Sequence, residues 1–325
     1  MLIMQLTFAY YYRNAPFGDR HKTNTINTEV VQMKRWRLVV SGLMMACLFS
    51  TLSFGADLDD VKTHGVIRHI GIPYANFVSG TGDGMEVELT KLFAASMGVK
   101  YEFVQSDWGT IVPDLIGKKV KVTNGKAETV DEVPVKGDII ANGFTVIPWR
   151  QQVVEFATPT FPNQIWLIAR ADSPTKPIKP TKNIEKDIKL TKALMKDKSV
   201  LSMEKTCLDP ALYNLAATGA KIICRTGNLN EMAPALLNKE ADLTILDVPD
   251  ALVAISKWKG KLKILGPVSD KQVMAAAFSK SSPKLLEAYN VFIKKAQHDG
   301  TYMSLIKKYY PTAPGYFPEF FKGMK

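Results

Sequence analysis

A strand, a helix and a strand follow one another twice in this chain, and that double alternation limits the fold more than any single motif. "VIRHIGI" (66–72) reads as a buried strand, and after the Gly-rich loop "SGTGDG" the residues Val87, Leu89, Leu92, Phe93 and Met97 keep helical spacing up to Gly98. "VKYEFV" then returns as a strand. From Ile165 the pattern restarts: strand "IWLIAR", strand "SVLSM", helix "LDPALYNLAATG", strand "KIIC", helix "LNEMAPALLNK", strand "DLTIL". Asn228 and Glu231 keep a capping-box spacing before that last helix. Alternating strands and helices imply mostly parallel sheets covered by helices on both faces, so an α/β chain with two similar lobes is expected. Two interruptions stand out. "KKVKVTNGKAETVDEVPVK" alternates around Asn124-Gly125 and predicts a hairpin inserted from about Lys119 to Val135, ahead of the buried strand "DIIANGF". Beyond "MAAAF", Pro283 opens an amphipathic helix whose stripe is Leu285, Leu286, Tyr289, Phe292, Ile293 and Ala296.

The compartment follows from the N-terminal region. Lys34, Arg35 and Arg37 precede an apolar run from Leu38 to Phe54, and small residues stand at Ser53 and Gly55. That is the build of a secretory signal peptide over 33–55, cleaved after Gly55, with residues 1–32 a non-native extension ahead of the true start at Met33. The run is marginal as a spanning anchor, because Ser41, Gly42, Ser50, Thr51 and Ser53 dilute it. Export to the periplasm is therefore expected. Removing residues 1–56 takes away six Lys/Arg and two acids, so the formal charge of +11 becomes +7. The remaining lysines are scattered rather than striped with aromatics, which argues against a nucleic-acid partner.

Catalytic and metal signatures are missing from the sequence. It holds no His-Glu-x-x-His, no Gly-x-Ser-x-Gly, no Cys-x-x-Cys and no phosphate loop, and His64, His69 and His298 stand apart from other ligand types. No metal or cofactor is expected. What remains is a set of polar groups at the carboxyl ends of strands, where open α/β sheets bind ligands. In the first half these are Thr145 and Arg150. In the second they are Lys205, Thr206 and Cys207, at the junction of "SVLSME" with a helix, and Asp247 after "DLTIL". Arg150 is oddly placed for an ordinary surface residue, because Pro148 starts a helix and the first turn of a helix repels cations. A guanidinium fork suits a carboxylate, a helix N-terminus at Thr206 and Cys207 suits an anion, and Asp247 accepts from an ammonium. Together they suit an α-amino acid.

The stretches "DGMEVELTKLFAASMGVKYEFVQSDWGTIVPDLIGKK", "GDIIANGFTVIPWRQQVVEFATPTF", "KEADLTILD" and "DGTYMSLIKKYYP" resemble the extracytoplasmic solute-binding proteins of family 3, the amino-acid receptors of ATP-driven importers. The resemblance implies the class II periplasmic-binding-protein fold, with lobe 1 formed by 56–163 and 268–325, lobe 2 by 164–267, and hinges near Phe161 to Ile165 and Gly266 to Asp270. It implies a monomer that delivers its ligand to an ABC permease in the inner membrane and is not an enzyme. Carried over residue by residue, it gives Gly143, Thr145 and Arg150 the ligand carboxylate, Asp247 the amino group, and Tyr74 or Phe77 the ligand side chain. Trp108 is read as core or pocket wall. This chain departs from the family where Lys205, Thr206 and Cys207 replace a Gly-Thr-Thr-like motif, where Trp149 replaces an acid, and in the hairpin. An exported lyase resembling cyclohexadienyl dehydratase, with Glu204 as general acid, is the alternative on the same scaffold. Finally, a βαβ connection places Cys207 and Cys224 on neighbouring strands, so in an oxidising compartment a disulfide between them is expected.

Overall fold

The computed structural model describes residues 55–80 and 82–325. The expected N-terminal extension, and the signal peptide up to Phe54, lie outside the described residues.

The chain enters through α1 (Leu58–His64), capped by Asp57 and stopped by Gly65 in the left-handed region, and continues into β1 (Val66–Gly71). Next come α2 (Met85–Met97), β2 (Lys100–Gln105) and α3 (Ile111–Ile116). Of the five apolar residues that set the helical spacing in α2, Leu92 is 41% exposed, so the buried stripe runs through Met85, Leu89 and Phe93 instead. The predicted hairpin is β3 (Lys118–Thr123) with β4 (Lys126–Glu132), an antiparallel pair that joins no other sheet. β5 (Ile139–Ile140), α4 (Pro148–Gln151) and β6 (Glu155–Phe156) complete this half.

Two adjacent strands carry the chain across. β7 (Phe161–Asn163) leads into β8 (Ile165–Arg170), and the return runs through β12 (Leu262–Pro267) into β13 (Gln272–Met274), which pairs antiparallel with β7. Between them lie α5 (Ile184–Ala193), β9 (Ser199–Ser202), β10 (Lys221–Cys224), α6 (Met232–Leu237), β11 (Leu243–Asp247) and α7 (Val248–Lys257). After β13 come β14 (Ala277–Phe278), α8 (Pro283–His298) and α9 (Thr301–Tyr309).

Two five-stranded sheets result, in the orders β2-β1-β5-β14-β6 and β10-β9-β11-β8-β12. Each is mixed. β1 runs parallel to β2 and β5, and β9 to β10 and β11, because crossover connections return the chain to the same end of the sheet; β14, β8 and β12 run antiparallel to their neighbours. The antiparallel strands are those next to the crossover between lobes, where no helix intervenes to reverse the chain.

Two expectations fail in the second lobe, and both for local reasons. "LDPALYNLAATG" is not a helix but two 3₁₀ turns, Pro210–Tyr213 and Leu215–Thr218, separated by Asn214 at φ 50°. The left-handed residue breaks the helical path, and Asp209 rather than Thr206 caps the first turn. No helix N-terminus therefore lies at Thr206 and Cys207. The disulfide fails through register: Cys224 pairs with Ser202, whereas Cys207 lies five residues further on, beyond a turn. Both cysteines are free, Cys224 exposed beside the Ser202 hydroxyl at 3.4 Å and Cys207 buried at the site.

Candidate functional site

Arg150 and Asp247 are brought together from opposite lobes by the carboxyl ends of β5 and β11. Arg150 sits in the single turn α4, with Pro148 at its start, and is 2% exposed. A helix of four residues is too short to carry a macrodipole of consequence, so the awkward location that the sequence suggested disappears. The side chain folds back on its own approach strand. Its Nη1 donates to the Thr145 carbonyl at 3.0 Å, and its guanidinium lies 3.8 Å from the centre of the Phe144 ring and 5.5 Å from that of Trp149. None of the ion pairs among the described residues includes Arg150, and its Nε is buried without a partner. Burial pulls its pKa down to about 10, so it remains a cation at neutral pH.

Asp247 is solved differently. At 1% exposure it ends β11 and caps α7, accepting from the Asp250 N–H at 3.3 Å. Its other oxygen accepts from the Tyr74 hydroxyl and, at 3.2 Å, from the Cys207 thiol. Burial raises the Asp247 pKa, and these three donors hold it down in part. Tyr74 comes from the loop after β1, so its bond to Asp247 crosses between lobes. Asn230 adds two more crossings: its Oδ1 accepts from the Ala75 N–H at 2.8 Å, and its Nδ2 donates to the Pro73 carbonyl at 3.3 Å.

The other expected residues divide into those at the charges and those behind them. Thr145, 1% exposed, supplies Arg150 with its carbonyl and presents its hydroxyl to Cys207. Trp108 meets Tyr74 edge-on at 5.5 Å, with its indole N–H buried and unpartnered. Phe77 lies behind Tyr74, stacked on its ring at 6.0 Å, and packs edge-on against Phe161 and at a tilt against Tyr310 in the lobe 1 core. Gly143 lies against Phe77: it has φ 57°, and a Cβ there would lie 2.2 Å from the Phe77 ring. Thr206 donates to the Met203 carbonyl and accepts from the Leu208 N–H, so it shapes the turn that presents Cys207.

Sequence reading missed three polar residues that tie the site together. Asn163, on β7, donates to the Thr145 hydroxyl and to Gln272, both at 3.3 Å, and accepts from the Val248 N–H at 3.2 Å. Tyr213 donates to the Cys207 carbonyl at 2.6 Å and accepts from Gln272 at 3.4 Å. The one signal was a pair of amides, Asn163 and Gln164, inside an otherwise apolar crossover strand. Buried amides are retained where partners await them. Among the described residues no cluster of His, Cys, Asp and Glu is arranged to hold a metal ion.

Comparison with known proteins agrees with this architecture. Residues 135–312 match the bacterial extracellular solute-binding proteins, family 3. The chain belongs to that family. A probable amino-acid ABC transporter-binding protein of Haemophilus influenzae is 25% identical over 83% of this chain and 94% of its own length. The octopine-binding periplasmic protein of Rhizobium meliloti is 32% identical over a shorter stretch, 25% of this chain and 22% of that protein. Among solved structures, a mutant of ArgBP from T. maritima superposes with a TM-score of 0.61 at 23% identity, covering 78% of this chain and 98% of that one. Its fold is shared.

Proposed function

We propose that this protein is an extracytoplasmic receptor that captures an α-amino acid or a similar small zwitterion between its lobes and delivers it to an ABC-type permease. The observation that carries the reading is the imbalance at the site: a buried guanidinium that hydrogen-bonds no carboxylate and leaves its Nε unmatched lies in the opposite lobe to a buried carboxylate whose oxygens already have donors. A buried guanidinium with an unmatched N–H and no ion pair is costly, and a ligand carboxylate would offset that cost through charge-assisted bonds to Nε and the outer fork. An ammonium would then replace the Tyr74 and Cys207 donors at Asp247.

The name of the Haemophilus influenzae relative, which spans most of both chains, supports amino-acid uptake, and the family supports action outside the cytoplasm, in the periplasm. The reading is of a monomeric binding protein, not a lyase. Glu204, the residue a dehydratase reading needs, is exposed on the turn after β9 and makes no contact with Arg150 or Asp247. The crossovers β7 and β13 lie side by side and serve as the hinge.

A thermal-shift screen over the common amino acids and small organic acids tests this. A ligand at 100 times its dissociation constant stabilises by about 2.7 kcal/mol, a readily measured shift. The reading fails if only compounds lacking one of the two charges shift the melting point, or if a stabilising ligand is recovered chemically altered after incubation.

A further inference from the structure

The hairpin β3–β4 is the part of the chain that neither the alternating pattern nor the charged pair explains. A two-stranded hairpin is marginally stable by itself, so its position must be held by other elements. It is fixed at both ends. At the tip, Gln152 accepts from the Ala127 N–H and donates to the Gly125 carbonyl, each at 2.9 Å; at the base, the Val133 N–H donates to the Gly117 carbonyl at 2.9 Å. So anchored, it becomes one wall of a cavity of about 660 Å³.

Val120 and Val122, two residues apart and therefore on one face of β3, line that wall, and Val122 is 41% exposed. Lobe 2 supplies the opposite wall through Lys205 and Leu212, the latter 36% exposed. Two indoles from lobe 1, Trp108 and Trp149, also line it, and Glu204 and Asp209 add acids on the lobe 2 side. Each indole also adjoins the charged pair: Trp108 packs on Tyr74, whose hydroxyl is bonded to Asp247, and Trp149 lies 5.5 Å from the Arg150 guanidinium. One layer of side chains thus separates the cavity from the two charges.

We propose that this cavity is an extended subsite, and that the ligand is an α-amino acid carrying a long, flat, apolar-bodied substituent of about dipeptide size. The assignment rests on the zwitterion reading, since the α-groups must lie at Arg150 and Asp247 for the substituent to leave between Trp108 and Trp149. The volume falls within the range of roughly 300–1000 Å³ usual for ligand pockets, and a short side chain would leave the two valines, Leu212 and the indole faces in water. Indoles offer flat apolar area at low entropic cost, which favours a planar group. Glu204 and Lys205 are exposed at the lobe 2 rim, so the far end of the substituent meets charge and solvent.

Calorimetry with two probes separates this proposal from the reading beneath it. L-norleucine and Nε-benzoyl-L-lysine share the α-groups and the first four side-chain carbons, and differ in the flat benzamide. The wild-type protein is expected to bind the benzoyl compound at least about tenfold more tightly, and Val122→Asp or Trp149→Ala should draw the two affinities together. Val122 is exposed on the hairpin, so its substitution leaves the fold intact. Equal affinities in the wild-type protein, with norleucine binding abolished in Arg150→Leu, overturn the subsite and leave the zwitterion reading standing. Failure of both probes to bind overturns both.

Discussion

Arg150 and Asp247 face each other across one cleft, both buried and both charged types, yet the protein treats them in opposite ways. Asp247 receives three donors from the chain: the Tyr74 hydroxyl, the Cys207 thiol and the Asp250 N–H. Arg150 receives one carbonyl and an aromatic face, and its Nε goes unmatched. Burial moves both pKa values toward the neutral form and each charge offsets that in part for the other, but only the carboxylate has its hydrogen-bonding positions filled from within. The difference teaches where ligand selectivity resides. A group already satisfied can exchange partners at little net gain, whereas a group left unsatisfied gains the full worth of a new one. The carboxylate of the ligand should therefore dominate affinity, and its amino group should tune it.

The largest expected effect tests that asymmetry directly. Arg150→Leu should cost about 2–5 kcal/mol of binding, while raising the stability of the ligand-free protein, because an unpaired buried cation gives way to an apolar group of similar volume. Denaturation and titration of the same sample check both halves. A variant less stable than the wild type without ligand would break the comparison.

A second buried acid asks whether satisfaction, rather than burial, sets the cost. Glu86 on α2 is 1% exposed, and one oxygen accepts from the Thr160 hydroxyl at 2.9 Å while the other has no partner; burial pushes its pKa from 4.5 up to about 7. A folded pKa raised above the unfolded one means the native state holds the proton more tightly. Its contribution is fully present below pH 4.5 and is lost as pH rises through 7. At about 1.4 kcal/mol per pH unit the loss is roughly 3 kcal/mol. Glu86→Gln should flatten the stability profile between those limits, and an unchanged slope would show that Glu86 does not titrate there.

A smaller effect is expected at Asp247. Asp247→Asn keeps one acceptor oxygen for the helix cap and turns an NH2 toward Tyr74 and Cys207, removing the charge that would hold an ammonium, so binding of a zwitterion should weaken by about 1–3 kcal/mol, and that of a carboxylic acid lacking the amino group much less. Equal losses would remove the ammonium from the account. Smallest of all, Cys207→Ser substitutes one donor for another at Asp247 and should change affinity by under about 1 kcal/mol; a large loss would assign the thiol a role of its own.

The fold was legible where periodicity is strong and the site where chemistry is concentrated. The strand spacing in "VIRHIGI" and "DLTIL", the hairpin at Asn124-Gly125 and the turn at Pro148 depend on neighbours within a few residues, and local sequence carries that information. The spacing that includes Leu92 gave the helix but not its buried face, because helical spacing does not say which edge of a stripe meets the core. The region after β9 was misread because Asn214 enters the left-handed region and divides a helical pattern into two 3₁₀ turns, and an earlier turn, with Lys205 at φ 61°, carries Cys207 out of line with Cys224. Tyr213 and Gln272 were invisible, and Asn163 was marked only by the amide pair it forms with Gln164, for another reason. The bonds of Asn163 and Tyr213 to Gln272 span 109 and 59 residues, and it is the return crossover that brings Gln272 to them.

The most direct test of the central claim is a calorimetric comparison of three matched compounds on the wild-type protein: norleucine, hexanoic acid, which lacks its amino group, and pentylamine, which lacks its carboxylate. With Arg150 unanswered and Asp247 already supplied, norleucine should bind most tightly, hexanoic acid detectably but more weakly, and pentylamine not at all. Binding of pentylamine at or above the affinity of hexanoic acid would contradict the account, because it would place the ligand's anchor at Asp247 and leave the buried guanidinium without a role.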